Sequence, residues 1–499
     1  MLPILRDDAL AATDDGITLR LCLPWIRSLP LASLTDLTVA VDGERLDVAV
    51  VVDGRTVAPE ALAEEDAWWF VQDRLVLDCR RARGRGIHEV SVSFRLVIPY
   101  LDAGPDGPLV LPFHAEAALA LTSGIRSIHA DPDAPTVRVR SAGDAPSSVA
   151  LPDTWTLGAS SFNWTPDVIR ADRPAPDIAV GIITEGVADV IELEPGQLWR
   201  SFPDPADADA DALRSALDAA GGSVSIVGAS IDDWRTDGRR RTEDERLAFL
   251  MPQLRAAHRL GARGVRLPIG QAGPELLQRL RPALEQLDLV LYEEAQGHQT
   301  PQNPAVADAY ETIARLDDPR IRLLVDISML MPALPVSYLA LLRDGGLPAS
   351  FVDMLAEDWR SPDVDAEVIG LLRSGGVPPA VHTAYMNLLV RFGRSDAEDL
   401  RGILPVTGAF HLKFWDLDDA DGRVSAPIRD LGALLAEHGW HGALTSEWGG
   451  HEWLDDDPTE TTRRHLDLAR TALAEGAAPA ASSRPFVSGA LRPRSTTGG

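Results

Sequence analysis

LVLYEEAQG, residues 289–297, is a short apolar run that ends on two carboxylates and stops at a glycine. Its length is that of a strand. Its unbroken apolar character marks a strand covered on both faces, as in a parallel sheet. The pattern recurs downstream in IRLLVDISM (321–329), AFHLKFWDL (409–417) and GALTSEWGG (442–450), which carry Asp326, His411 and Glu447 near their ends. Helical stretches separate them, among them NPAVADAYETIARLDDP (303–319) and IRDLGALLAEHG (428–439).

Working upstream, WTLGASSF (155–162), ADVIELEPG (188–196), SVSIVGASI (223–231) and ARGVRLPIG (262–270) supply four more strands. TEDERLAFLMPQLRAAHRLG (242–261) is a helix whose Thr242 and Glu245 have the spacing of a capping box. Eight strand–helix units predict a (β/α)8 barrel over 151–478, with a helical insertion at 330–406 between the sixth and seventh strands. Residues 1–150 read differently. GITLRLCL (16–23), LTDLTVAVDG (34–43), LDVAVVVDG (46–54), DRLVLDCR (73–80) and HEVSVSFRLVIPYL (88–101) are short runs punctuated by Asp, Gly and Pro, which predicts an all-β, sandwich-like domain. The tail at 479–499, rich in Ala, Pro, Ser, Arg and Gly, is expected to be disordered.

The chain's 499 residues exceed one ordinary domain, in keeping with this division. Its net charge of −28, from 47 basic and 75 acidic residues, disfavours nucleic acid and anionic membrane as partners. No long apolar run or basic leader is visible, so a cytoplasmic location is expected. Cys22 and Cys79 lie in strand-like context and are expected to be buried free thiols.

Strand ends converge at the C-terminal mouth of such a barrel. Glu294, Asp326, His411 and Glu447 would meet there as three carboxylates and an imidazole, a donor set for a divalent cation. Lys413 lies two residues beyond His411 and shares its face. Glu293 should point outward and pair with a helix-borne arginine. His382, in the insertion, is expected to cap a helix.

E-A-Q-G at 294–297, F-H-L-K-F-W at 410–415 and L-T-S-E-W-G-G-H at 444–451 resemble the catalytic α subunit of C-glycoside deglycosidases, within the xylose-isomerase-like sugar isomerase/epimerase barrels. LPWIRSLPLASLTDLTVAVDG (23–43), AWWFVQDRLVL (67–77) and VIPYL (97–101) resemble the small β subunit of the same enzymes. The chain therefore looks like a β–α fusion. The resemblance implies a divalent metal, most often manganese, with magnesium or cobalt as alternatives, held by Glu294, Asp326, His411 and Glu447. It implies a substrate already oxidised at sugar C3 by an upstream glycoside 3-oxidase. A base removes the C2 proton, and the aglycone leaves from C1 by β-elimination. The family carries a histidine at the place of Gln296.

His298 is the first candidate for base or acid here and His451 the second, with Lys413 neutralising the enolate. Glu192, Arg266, Gln296 and Trp415 are expected substrate contacts, and Trp164 and Trp199 further stacking surfaces. The β domain is expected to pack on the barrel, and the chain to form a homo-oligomer. Two other readings stand beside this one: a metal-dependent keto-sugar isomerase or epimerase, and a non-catalytic sugar-binding protein.

Overall fold

The structure is a computed structural model and describes residues 4–104, 107–123 and 149–478. The join expected near residue 150 abuts 124–148, and the tail at 479–499 likewise lies outside the described residues.

The N-terminal region is mainly antiparallel. One sheet runs in the order Thr122–Ser123, Leu10–Ala12, Ile17–Cys22, Arg74–Cys79, Ala49–Val52, Arg55–Val57. The other runs Pro108–Ala120, Ile87–Asp102, Leu34–Val41, Glu44–Leu46. Alternate residues of both, such as Leu19, Leu21, Leu77, Val39, Val92 and Phe94, bury one shared core. Two hairpins turn on Asp42-Gly43 and Asp53-Gly54, where both residues of each pair have positive φ, the geometry that matches strand twist. The strand Pro108–Ala120 escaped the sequence reading. It contains Pro112 and much alanine, and both suit the edge position that it occupies. Cys22 and Cys79 are buried and unpaired.

The C-terminal region is a closed barrel of eight parallel strands in sequence order. The strands are Trp155–Ser160, Val190–Leu193, Ser223–Gly228, Gly264–Pro268, Val290–Ala295, Ile321–Asp326, Thr407–Phe414 and Gly442–Trp448. Pairing of Trp155 with Gly442 closes the ring. The Thr242–Glu245 capping box forms as read. The principal core lies between strands and surrounding helices, while Ile226, Tyr292, Leu324, Ala409 and Ala443 fill the lower barrel. Helices from Val336–Asp344 through Asn387–Val390 bury a separate core around Tyr338, Leu342, Trp359 and Phe392. Among the described residues, no helix is long and apolar enough to cross a membrane.

The β region is fastened to the barrel's upper loops. Ser28 N donates to Gly196 O at 2.8 Å, and Gln197 Nε2 to Ile26 O at 2.7 Å. Arg27 pairs with the wholly buried Asp232 at 2.5 Å, and Trp234 N donates to Pro99 O at 2.9 Å.

Candidate metal centre and active-site cavity

Strand periodicity builds the site. On the fifth strand Tyr292 fills the barrel, so Glu294, two residues on, also points inward and Glu293 outward. Leu324 carries Asp326 inward on the sixth strand by the same rule, and Ala409 carries His411 and then Lys413 on the seventh. In register, Asp326 lies opposite His411 and Lys413 opposite Glu447. Ligand atoms of Glu294, Asp326, His411 and Glu447 all fall within 4.8 Å of one another, and all four residues are buried.

His411 Nδ1 is 2.9 Å from both Glu294 Oε1 and Glu447 Oε2. Its Nε2 is 3.0 Å from Glu192 Oε2. Nδ1 therefore faces the quartet, and Glu192 orients the ring from behind. His411 Nδ1, Asp326 Oδ2 and Glu447 Oε2 are buried and, beyond the close approach of His411 to Glu294 and Glu447 and the Lys413–Glu447 ion pair, make no well-formed hydrogen bond. Buried polar atoms are rarely left so, and three aimed at one point fit a cation. The mixed oxygen and nitrogen set can hold a divalent metal ion.

The electrostatics agree. Burial works against the charged forms, yet Arg266 and His411 hold Glu294 down to about 2. Burial likewise opposes a charge on His411, but Glu447, Glu192 and Glu294 raise it well above an ordinary imidazole. Burial, helped by Glu447 and Glu294, pushes Asp326 up to about 6 against the pull of Lys413 and His411. Arg266 is the hub of the far side. Its Nε meets Glu192 at 2.7 Å, one terminal nitrogen meets Glu294 at 2.7 Å, and the other donates to Glu194.

Above the quartet opens a cavity of roughly 840 Å³. Glu294, Glu447, Lys413, Arg266, Gln296 and Glu194 line it from the barrel, Val390 and Arg391 from the insertion, and Ile26, Arg27 and Tyr100 from the β region. The cavity is thus walled by all three parts of the chain. The Lys413 ammonium, 3.2 Å from Glu447, is held charged by Glu447 and Asp326 against burial.

Several expected roles do not match these positions. His298 is turned away from the cavity, with Nε2 3.3 Å from Leu388 O, because its loop docks on the insertion. His451 packs against Phe162 and Trp448 at 4.8 and 5.6 Å, and burial lowers it to about 4. Neither histidine lines the cavity. Trp415 is buried against Phe392 at 4.9 Å, Trp164 donates to Thr459, and Trp199 is buried; none of them lines it either. Glu192, expected as a substrate contact, is wholly buried against Arg266 and His411 and does not line the cavity. Among the described residues Glu293 has no arginine partner; it accepts from Gly270 N at 3.1 Å, and burial raises it to about 7. His382 is exposed, with no capping bond.

Glu194 was missed, although two-residue alternation from Glu192 places it on the same inward side. Arg27, Tyr100 and Arg391 had no local signal, since they reach the cavity from remote parts of the chain.

No protein-family model matches the chain. The 3'-dehydrocarminate deglycosidase β subunit of Microbacterium sp is 38% identical over 109 residues, which cover 20% of this chain and 78% of that protein. The chain belongs to the C-glycoside deglycosidase family. Its C-terminal region is similar to the family's α subunits. The C-glycoside deglycosidase α subunit of Arthrobacter globiformis is 28% identical over 339 residues, 66% of this chain and 96% of that protein. The 3'-dehydrocarminate deglycosidase α subunit of Microbacterium sp is 27% identical over 346 residues, 66% of this chain and 97% of that protein. Sequences that are separate α and β subunits elsewhere in the family are joined here in one polypeptide. Solved structures aligned with the chain include a D-psicose 3-epimerase (13% identical, 64% of this chain and 99% of that one, TM-score 0.38) and an E. coli 3-keto-D-glucoside 4-epimerase (14% identical, 64% and 99%, TM-score 0.35).

Proposed function

We propose that this protein is a metal-dependent lyase that cleaves 3-oxo-glycosides, releasing the aglycone by C2 deprotonation and β-elimination. The observation that carries the reading is the buried Glu294–Asp326–His411–Glu447 quartet at the floor of a cavity. At roughly 840 Å³ that cavity is within the range for a whole glycoside with its aglycone.

A C-glycosidic bond offers no oxygen to protonate, so two-carboxylate hydrolysis does not apply to it. A ketone at C3 changes the problem, because it acidifies the C2 hydrogen. Glu294, Asp326, His411 and Glu447 would hold the cation, and their mixed oxygen and nitrogen donors suit manganese. Bound there, a divalent cation supplies charge stabilisation for the oxygen that becomes an enolate. Lys413, charged and facing the same space, adds a second positive group. Glu192 fixes the His411 ring with Nδ1 turned toward Glu294 and Glu447, where it would help to hold the cation. The β region and insertion form side walls of the cavity. The metal quartet, Lys413, Gln296 and Arg266 are the site residues of this reading.

The test is incubation of the full chain, with manganese supplied, with a 3-oxo C-glucoside and a 3-oxo O-glucoside. Release of aglycone together with an unsaturated keto sugar is expected. Interconversion of keto sugars without release would favour an isomerase or epimerase. Binding with neither would leave a sugar-binding protein. An upstream 3-oxidase as supplier, a cytoplasmic location and a homo-oligomeric state belong to the same proposal.

A further inference from the structure

The lyase reading needs a base at C2, and neither histidine expected in that role lines the cavity. The cavity wall offers a different group. Glu194 follows the second barrel strand, next to Pro195, with its carboxylate held by Arg266. Its side chain is 22% exposed, against 0% for Glu192 and 7% for Glu294 and Glu447. It is thus the most open of the four. A Cβ at Gly228 on the neighbouring strand would collide with this carboxyl, so the glycine leaves the space that Glu194 occupies.

Charge counting separates Glu194 from its neighbours. Five carboxylates gather here: Glu192, Glu194, Glu294, Asp326 and Glu447. A divalent cation, Arg266 and Lys413 offset four of those charges when His411 is neutral. Glu294, Asp326 and Glu447 are committed to the cation, and Glu192 to His411 and Arg266. The other arginines that line the cavity are engaged elsewhere: Arg391 with Glu452, Arg27 with Asp232, Arg240 with Asp102, Arg246 with Asp233, and Arg241 with the Asp232 carbonyl. Arg266 is shared among Glu192, Glu294 and Glu194, so one negative charge is left over, and Glu194 is the one of the five that belongs neither to the quartet nor to the His411 contact.

We propose that Glu194 is the catalytic base that takes the C2 proton of the 3-oxo sugar, a role resting on the lyase reading above. The C2–H electron pair passes into the enolate as Glu194 gains the proton. The enolate then forms the C1–C2 double bond, and the C1–aglycone bond breaks with its pair leaving on the aglycone. Glu194 returns its proton to that group, so substrate goes to aglycone and a 1,2-unsaturated 3-keto sugar with no other reactant. Burial raises Glu194 from the ordinary carboxylate range against the pull of Arg266, the direction that a proton-accepting carboxylate needs. Gln296 lines the same cavity but cannot titrate.

The probe is 3-oxo-1,5-anhydroglucitol, which has an acidic C2 hydrogen and no leaving group. In deuterated water with manganese-loaded full chain, the wild type is expected to exchange the C2 hydrogen, read by proton NMR. Glu194→Gln keeps a group of the same shape beside Arg266 and is expected to lower that rate at least about 100-fold, with metal content by elemental analysis unchanged. Glu194→Asp should retain part of the rate, and added formate should restore exchange in Glu194→Ala, which a purely positional role would not allow. Exchange by Glu194→Gln at the wild-type rate would overturn the assignment and leave the base to a quartet carboxylate. A wild type that neither exchanges C2 nor releases any aglycone would overturn the lyase reading, and the assignment with it.

Discussion

His411 Nε2 lies 3.0 Å from Glu192 Oε2, with both side chains wholly buried below the cavity floor. This contact leaves Nδ1 pointed at Glu294 and Glu447. Removing its charge by Glu192→Gln should lower divalent-metal affinity by about 10–100-fold. A competition titration against a chelator reads that change. An unaltered affinity would mean that the ring is held by packing alone.

Lys413 stands beside the quartet without belonging to it, 3.2 Å from Glu447. Lys413→Met should cut aglycone release by about 100-fold or more, in the range seen when one electrostatic stabiliser is removed. Metal affinity should hold or rise, since a repelling charge is gone. Loss of metal together with activity would point instead to a structural role.

The Arg27–Asp232 pair joins the β region to the barrel, with Asp232 shut from solvent. Arg27→Ala strands that carboxylate and should cost about 3–5 kcal/mol, the usual penalty for breaking a buried pair. Urea unfolding measures it. Replacing both partners by Met and Leu should recover much of the loss, because no charge is then left unpaired.

His465 stacks on Phe414 at 3.8 Å, with Nδ1 2.8 Å from Ser446 Oγ, and burial lowers it to about 3. The folded state holds the ring neutral while the unfolded chain protonates it near its ordinary value of 6.5. The unfolded state therefore binds more protons between those values, and stability rises with pH across that window. The contribution is complete above about 6.5. It is lost as pH falls toward 3, by an amount on the order of 5 kcal/mol. Thermal melts from pH 7 to pH 4 should show the decline, and a His465→Gln variant should show a shallower one.

The eight strands could be placed from the sequence because strands covered on both faces read as apolar runs, and helices between them show a different period. Two-residue alternation then gave the inward direction of Glu294, Asp326 and His411 once Tyr292, Leu324 and Ala409 were known to fill the barrel. The same rule was available for Glu194 and was not applied past Glu192. Loops have no such period. His298 and His451 follow strand ends by only a few residues, yet contacts with Leu388 and Phe162 carry their rings away from the cavity.

By itself, then, the sequence determined the alternating architecture, the residue types at the strand ends and the two-part make-up of the chain, since these are written in local periodicity and short motifs. Only the tertiary structure decided that Glu192 supports His411, that Glu194 opens on the cavity, and that Arg27, Tyr100 and Arg391 complete its walls. Those relationships join segments up to hundreds of residues apart, and long-range packing, rather than any local pattern, sets the distances between them.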